Sequence, residues 1–487
     1  MCKVLKLGDV MRKAKIVCTI GPATESLEQV VRLVGAGMDV ARLNRSHGDS
    51  KTHEVVYNNI REAASKTGRN VAVLVDLQGP KIRLDKFKEN KKYELLKDDI
   101  VVITTEDILG ERQPNGDVLV STTYKGLPGN VKVGDPLLID DGKVRLEAVE
   151  VTSNFIRAKA VVAGTISNNK GINLPWAAVA VPALSEKDKD DLRWAVRVGA
   201  DIVALSFVRS AKDYEDAWNI MNKEGRILPV VAKIEKPQAV DNLEEVVKAF
   251  DGIMVARGDL GVELPLEVVP LIQKRCIELS RQYGKPVIVA TQVLETMTNN
   301  PMPTRAEVSD CANAILDGAD AIMTSGETSV GEYPILTIET MARISDYQTA
   351  NGLDSIPKVA NPSNSDGGAI ILSAVETATR LGTKAIVVLT SSGNSAHLVS
   401  RLRPNVPIIA LTDNEHTRAS LALSWGVESF LIDELKSADD ILSVSDATLR
   451  KNGLATDGDT IVVLSGTPIG KVGSTNTISV HRVGEYF

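Results

Sequence analysis

The chain has 487 residues, 43% of them hydrophobic, and a formal net charge of −7. That length allows two or three domains with substantial cores. The charge leaves no polybasic footprint for nucleic acid, and no apolar run is long enough to span a bilayer. The N-terminus lacks the apolar core of a signal peptide. Four scattered cysteines (Cys2, Cys18, Cys276, Cys311) and five histidines show no metal or redox spacing. A cytoplasmic protein is expected, with Cys18 and Cys276 as packing residues.

Residues 15–21 (KIVCTIG) read as an apolar strand closed by Gly21-Pro22, with a helix from about Ser26 to Ala36. A second strand, Val40 to Asn44, runs out through Arg45, Ser46, His47 and Gly48, and a helix covers about Thr52 to Lys66. A third, Val71 to Leu77, is followed by Gln78, Gly79, Pro80, Lys81, Ile82 and Arg83. From about Leu84 to Val181 the helical period gives way to short β-like runs with Pro-Gly and Asp-Gly turns, which predicts an inserted all-β domain. The α/β rhythm resumes at Ser185, with a carboxylate three residues on as in a capping box.

Further strands are predicted at 201–207, 229–235, 252–260, 286–292 and 321–327, each separated by an amphipathic helix. With the three before the insertion this makes eight β/α units, the number that closes a parallel barrel. A Pro/Asn/Ser-rich stretch, Ile356 to Ser365, reads as a linker. Strands at 385–391, 407–412, 427–432, 459–466 and 477–483 then predict a separate open sheet. The expected fold is an α/β (β/α)8 TIM barrel (1–83 and 182–352). An inserted β-barrel lid domain (84–181) and a C-terminal open-sheet α/β domain (353–487) complete it.

A buried parallel strand is apolar along its length, so charges mark the end where the chain emerges. In barrel enzymes the C-terminal end of the strands carries the active site. There the chain delivers Arg42, Asn44 and Ser46, then Asp76, Lys81 and Arg83, then Lys233 and Glu235, Arg257 and Asp259, Thr291, and finally Ser325 and Glu327. Glu235 and Asp259 suit a hard cation such as Mg²⁺. Lys233 and Arg257 suit an anionic substrate if their side chains face it. Glycine at 258 permits close backbone approach, so the amides of Arg257, Gly258 and Asp259 could bind a carboxylate. The set suits phosphoryl transfer or metal-stabilised enolate chemistry. The plainer alternative is a salt-bridge cluster closing the strand ends.

In order and spacing, KIVCTIGPA (15–23), ARLNRSHG (41–48), DLQGPKIR (76–83), KIEKP (233–237), MVARGDLGVELP (254–265), ATQ (290–292), PTRAE (303–307) and SGETSVGEYP (325–334) together resemble the pyruvate kinase family over nearly the whole chain. The resemblance implies transfer of the phosphoryl group of phosphoenolpyruvate to ADP, giving pyruvate and ATP. It implies Mg²⁺, with Mn²⁺ possible, on Glu235 and Asp259. Lys233 and Arg42 would meet the phosphoryl group, and Ala256, Arg257, Gly258, Asp259 and Thr291 the rest of the substrate. Thr291 would also serve enolate protonation. Arg83, Asn44 and His47 fall on the nucleotide side. Asn44, Ser46, Asp76 and Leu77 match a monovalent-cation pocket. Many relatives carry Glu at the position of Lys81 and require K⁺; the Lys81 ammonium is expected to fill that role, giving K⁺-independent activity, the alternative being a surface charge at the lid hinge.

Arg45 stands where an apolar residue is common, so this position is expected to be less buried or to gain a carboxylate. Trp176 and Thr324 are further departures. In the C-terminal domain, Thr390, Ser391, Ser392, Gly393, Asn394 and Ser395 follow a strand and open a helix, which favours a phosphate. In the resembling family this loop holds an allosteric effector. Trp425 and the loop 473–477 are matched to the same site, the alternative being a plain helix cap. The family suggests a homotetramer. Two further readings stay open: a Mg²⁺-dependent lyase or aldolase on the same barrel, and a catalytically silent metabolite sensor.

Overall fold

The computed structural model describes residues 12–175, 182–360, 365–435, 437, 440–468 and 473–485. Trp176 and most of the lid's return lie outside these residues, as do residues 361–364 of the expected linker.

Eight strands close into a parallel barrel: β1 (Lys15–Thr19), β2 (Val40–Asn44), β3 (Ala72–Asp76), β4 (Ile202–Leu205), β5 (Val230–Ile234), β6 (Gly252–Ala256), β7 (Val287–Ala290) and β8 (Ala321–Thr324). Each pairs with its sequence neighbour and β1 pairs with β8, so no edge remains. Both faces of every strand are covered, which is why the strands are apolar without alternation. The inward residues, among them Val17, Leu74, Val231, Met254, Ile288 and Met323, fill the interior as a packed cluster. The outward set packs against the surrounding helices.

Two sequence boundaries shift. The segment 252–260 ends as a strand at Ala256, and Arg257–Glu263 turns at once into a short helix. The helical stretch 237–250 breaks at Asn242 into Pro237–Asp241 and Leu243–Ala249. The helix Glu186–Val198 starts with the expected capping box between Ser185 and Asp188.

Between β3 and β4 the chain forms a seven-stranded sheet and a two-stranded ribbon around their own apolar cluster. This insertion stands over the C-terminal ends of the barrel strands. Beneath the opposite end lies a five-stranded sheet in the order β11-β10-β9-β12-β13. It contains β9 (Ile386–Leu389), β10 (Ile408–Thr412), β11 (Val427–Leu431), β12 (Thr460–Gly466) and the antiparallel edge β13 (Thr475–Arg482). Ala422 and Leu423 from this domain join the barrel's interior cluster and stopper its floor. Among the described residues no helix is long and apolar enough to cross a membrane.

Candidate active site

The barrel mouth is built outward from Asp76, at the end of β3 and 1% exposed. Its Oδ2 receives Arg42 Nε at 2.7 Å and lies 2.6 Å from Arg42 Nη2. Arg42 Nη1 donates to Thr19 Oγ1 at 2.8 Å. Lys233, ending β5, stands 3.4 Å from Asp76 Oδ1 and 2.9 Å from Glu235 Oε1, and donates to Ser206 Oγ at 2.8 Å. Ser206 in turn donates to the Leu77 carbonyl at 2.7 Å.

Burial alone would raise the Asp76 carboxyl, but the charges of Lys233 and Arg42 outweigh it and hold the group below its ordinary range. Burial likewise opposes the Lys233 charge, yet Asp76 and Glu235 win and hold the ammonium above its ordinary value. A lysine held charged cannot act as a Schiff-base nucleophile.

Glu235 is 0% exposed. Its Oε2 accepts the Phe207 backbone N–H at 2.9 Å, whereas Oε1 faces the Lys233 ammonium at 2.9 Å. Burial pushes its carboxyl up; Lys233 pulls the other way and the charge of Asp259 adds to the rise. Asp259 makes no hydrogen bond or ion pair with another described side chain. Three carboxylates thus face two cations, an excess of negative charge that suits a divalent cation. Among the described residues no group of three or more His, Cys, Asp or Glu could hold a metal. Two carboxylates with the remaining positions left to water and substrate is the habit of Mg²⁺.

On the other side of the mouth, Thr291 Oγ1 accepts the Gly258 N–H at 2.7 Å and donates to the Ala290 carbonyl at 2.6 Å. The Arg257 guanidinium is committed to Asp310 at 2.7 Å and to the Thr291 carbonyl at 2.6 Å. It therefore does not present an open charge to a substrate, and the conditional expectation for its side chain fails; its backbone remains at the mouth beside Ala256.

The loop after β2 places Asn44 opposite Asp76 in register, and Asn44 Oδ1 accepts the Ser46 N–H at 3.1 Å. His47 is exposed. Arg45 is buried and gains the carboxylate of Asp191 at 2.5 Å, so the second of its two expected outcomes holds and the first does not. Lys81 pairs with the lid's Asp141 at 3.2 Å, and Arg83 donates to the Asn169 carbonyl at 3.0 Å, so both reach into the lid. Thr324 is buried in the barrel wall, sharing a hydrogen bond with Thr328 at 2.9 Å.

The sequence reading passed over β1 and β4, whose ends supply Thr19, Ser206 and Phe207. The signal was available: these residues follow apolar runs at the same end of the barrel as the charges. It also missed a link to the lid, where Glu263 Oε1 accepts from Asn173 at 2.9 Å and from Lys236 at 2.5 Å.

In the C-terminal domain a cavity of about 260 Å³ is lined by Thr390, Ser391, Ser392, Asn394 and Ser395, with Gly473, Ser474 and Thr475 opposite. Ser395 and Thr475 share a 2.6 Å hydrogen bond across it. Asp413, Asp433 and Glu434 also line it, and no Lys or Arg does so among the described residues. Gly393, at φ +85°, shapes the loop, its N–H taken by Thr390 Oγ1 at 2.9 Å. Trp425 does not belong to this cavity. It is fully buried under the barrel floor, with the Lys13 ammonium 5.5 Å and the Arg403 guanidinium 4.9 Å from its ring centroid.

Fold and site together define a barrel enzyme that positions and neutralises anions, the equipment of a phosphotransferase. Residues 11–338 match the family described as "Pyruvate kinase, barrel domain", and residues 368–481 match "Pyruvate kinase, alpha/beta domain". The chain belongs to the pyruvate kinase family. It is 50% identical to "Pyruvate kinase" of Corynebacterium glutamicum over 97% of this chain and 98% of that one. It is 48% identical to the Mycobacterium tuberculosis protein of the same name, over 97% and 99%. A crystal structure of a pyruvate kinase from Cryptosporidium parvum superposes with a TM-score of 0.89 at 34% identity, covering 97% of this chain and 96% of that one.

Proposed function

We propose that the chain transfers the phosphoryl group of phosphoenolpyruvate to ADP, releasing pyruvate and ATP, with Mg²⁺ or Mn²⁺ held by Glu235 and Asp259. The observation that carries this reading is the excess of carboxylate at the mouth, where Asp76 and Glu235 share one lysine held charged and Asp259 pairs with no described side chain. A divalent cation bound there supplies charge neutralisation to substrate oxygens. Lys233 and Arg42 provide fixed positive charge for the phosphoryl group as it moves, which is the main task in such transfers. The backbone of Ala256, Arg257 and Gly258 holds the substrate carboxylate, and Thr291 orders the proton path to the enolate. Asn44, His47 and Arg83 serve the nucleotide.

The activity needs no K⁺. Lys81 takes the place of that ion beside Asn44, Ser46, Asp76 and the Leu77 carbonyl. Its pair with Asp141 is half-exposed and of a kind worth about 0–1 kcal/mol, so it does not lock the ammonium onto the lid. The cavity at Thr390–Ser395 takes a phosphorylated effector on its hydroxyl groups. A cytoplasmic homotetramer fits the apolar residues exposed on the barrel, Leu266, Leu271 and Met302, and the open edge strand β13 with Val480 outward.

The test follows ATP and pyruvate formation from phosphoenolpyruvate, ADP and Mg²⁺, with and without K⁺. Turnover is expected in both conditions, and Lys81→Glu is expected to create a K⁺ requirement. Turnover in K⁺ alone would sink the role of Lys81. Folded protein with no ATP formation would return the chain to the lyase or sensor readings.

A further inference from the structure

We propose that Arg45 and the first two turns of helix Glu186–Val198 form a positioning bracket for the nucleotide side of the site, with Asp191 as its central carboxylate. The inference rests on the reading that Asn44, His47 and Arg83 serve ADP. It concerns what holds their loops in place.

Arg45 sits between Asn44 and Ser46 but turns away from the mouth, and only 3% of it is exposed. Its Nε and Nη2 approach one oxygen of Asp191 at 3.0 and 2.5 Å. Nη2 also reaches Ser50 Oγ at 2.9 Å, and the guanidinium lies 4.5 Å from the centroid of the Trp194 ring. Lys187 closes the arrangement from the same helix. Its ammonium donates to the Arg45 carbonyl at 2.7 Å and to the other Asp191 oxygen at 2.6 Å. Both the side chain and the backbone of Arg45 are therefore gripped by one helical turn.

Two neighbouring bonds extend the grip. The His53 Nε2 donates to the His47 carbonyl at 2.7 Å, since a carbonyl can only accept, and the imidazole stands edge-on to Trp194 with centroids 6.1 Å apart. Asp188, fully buried, accepts the Ser185 N–H with Oδ2 and the Gly79 N–H with Oδ1, both at 2.9 Å. Gly79 adopts φ +74°, and a Cβ there would lie 2.6 Å from Phe207, so this contact depends on glycine. Gly79 opens the stretch that carries Lys81 and Arg83. Lys187, Asp188 and Asp191 thus fix the exit loops of two adjacent strands, β2 and β3. A pair serving stability alone would tie helix to helix. This one ties a helix to the backbone of two loops, and its burial and complete partnering separate it from surface ion pairs.

The experiment measures binding of Mg-ADP by calorimetry on the full chain, with KM and kcat in parallel, for Asp191→Asn, Arg45→Lys and the charge-swapped double variant Arg45→Asp/Asp191→Arg. Ser46→Ala and His47→Ala serve as references, and all assays run well below the lowest melting temperature. Asp191→Asn should raise the Kd and KM for ADP about tenfold while the KM for phosphoenolpyruvate and kcat change no more than about twofold. Arg45→Lys keeps the charge but not the fork, so it should fall between; it also carries the test if Asp191→Asn does not fold. Partial recovery of ADP affinity in the double variant is expected. If Ser46→Ala or His47→Ala weakens ADP binding and the Arg45 and Asp191 variants do not, the bracket is refuted while the loop's role stands. If none of the variants changes ADP binding, both fall.

Discussion

The two ends of one barrel bury charge in opposite ways. At the floor the buried cations are met by backbone carbonyls of the two domains and by carboxylates. Lys13 donates to Val406 O at 2.7 Å and Lys15 to Val427 O at 2.7 Å. Arg281 reaches Pro357 O at 2.7 Å, Arg401 reaches Gln282 O at 2.9 Å, and Arg403 reaches Gly318 O at 2.6 Å. Two of these carbonyls, of Gln282 and Gly318, close helices, where the backbone is partially negative. Carboxylates at the starts of β2, β4 and β8 add to them: Asp39 lies 2.7 Å from Arg12, Asp201 2.8 Å from Arg61 and Asp320 3.1 Å from Arg403. At the mouth the excess is of carboxylates: Asp76 and Glu235 share Lys233, and Asp259 pairs with no described side chain. The floor draws its counter-charge from the protein itself, whereas the mouth leaves it to ligands. A buried charge alone does not mark a site; what marks it is a charge whose partner is missing.

The sharpest way to break this contrast is Lys233→Met. Turnover should fall about 10³-fold, the scale of losing a preorganised charge at the reacting group, and the melting temperature should fall too, since Asp76 and Glu235 lose the cation they share. A loss of only a few-fold in steady-state assays would remove Lys233 from that role. The mirror experiment is Arg403→Met at the floor. It should lower the melting temperature by about 5–10 °C, as breaking a buried ion pair does, with kcat/KM within about twofold of the parent. A matching collapse of activity would mean the two ends are not separable.

The smallest effect concerns Lys13, whose ammonium is pushed down to about 7 by burial, with Lys15 adding. Between about 7 and 10.5 the unfolded chain binds a proton that the folded chain has shed. Stability from this group therefore rises with pH across that window, and its cost is fully present below it. Lys13→Met should help most near pH 6.5, and its advantage in melting temperature should shrink toward pH 10. A pH-independent difference would contradict the shift.

The barrel was legible because parallel strands covered on both faces must be apolar, so each abrupt charge announces an exit. That rule placed Arg42, Asp76, Lys233, Glu235 and Asp259 at one mouth, and the structure brings them together. It failed for Thr19 and Ser206, since a small polar residue after an apolar run does not stand out. It could not say where Arg45 or Arg257 would turn, because their partners, Asp191 and Asp310, lie 146 and 53 residues away. Trp425 went astray for the same reason: its cations come from the chain's start and from a neighbouring loop. The strand at 252–260 was read too long because a charged exit can coil at once into a helix.

Thr291 holds a last consequence. It is β-branched, yet it sits at φ +66°, and Gln292 follows at φ +52°. Such a conformation costs of order 1–3 kcal/mol and is ordinarily left to glycine or asparagine. A single substitution to glycine would relax the backbone and remove the hydroxyl that Gly258 leans on. At this residue, selection for robustness and selection for turnover pull in opposite directions. A lineage pressed only toward heat tolerance would drift toward glycine here and lose the hydroxyl from the mouth.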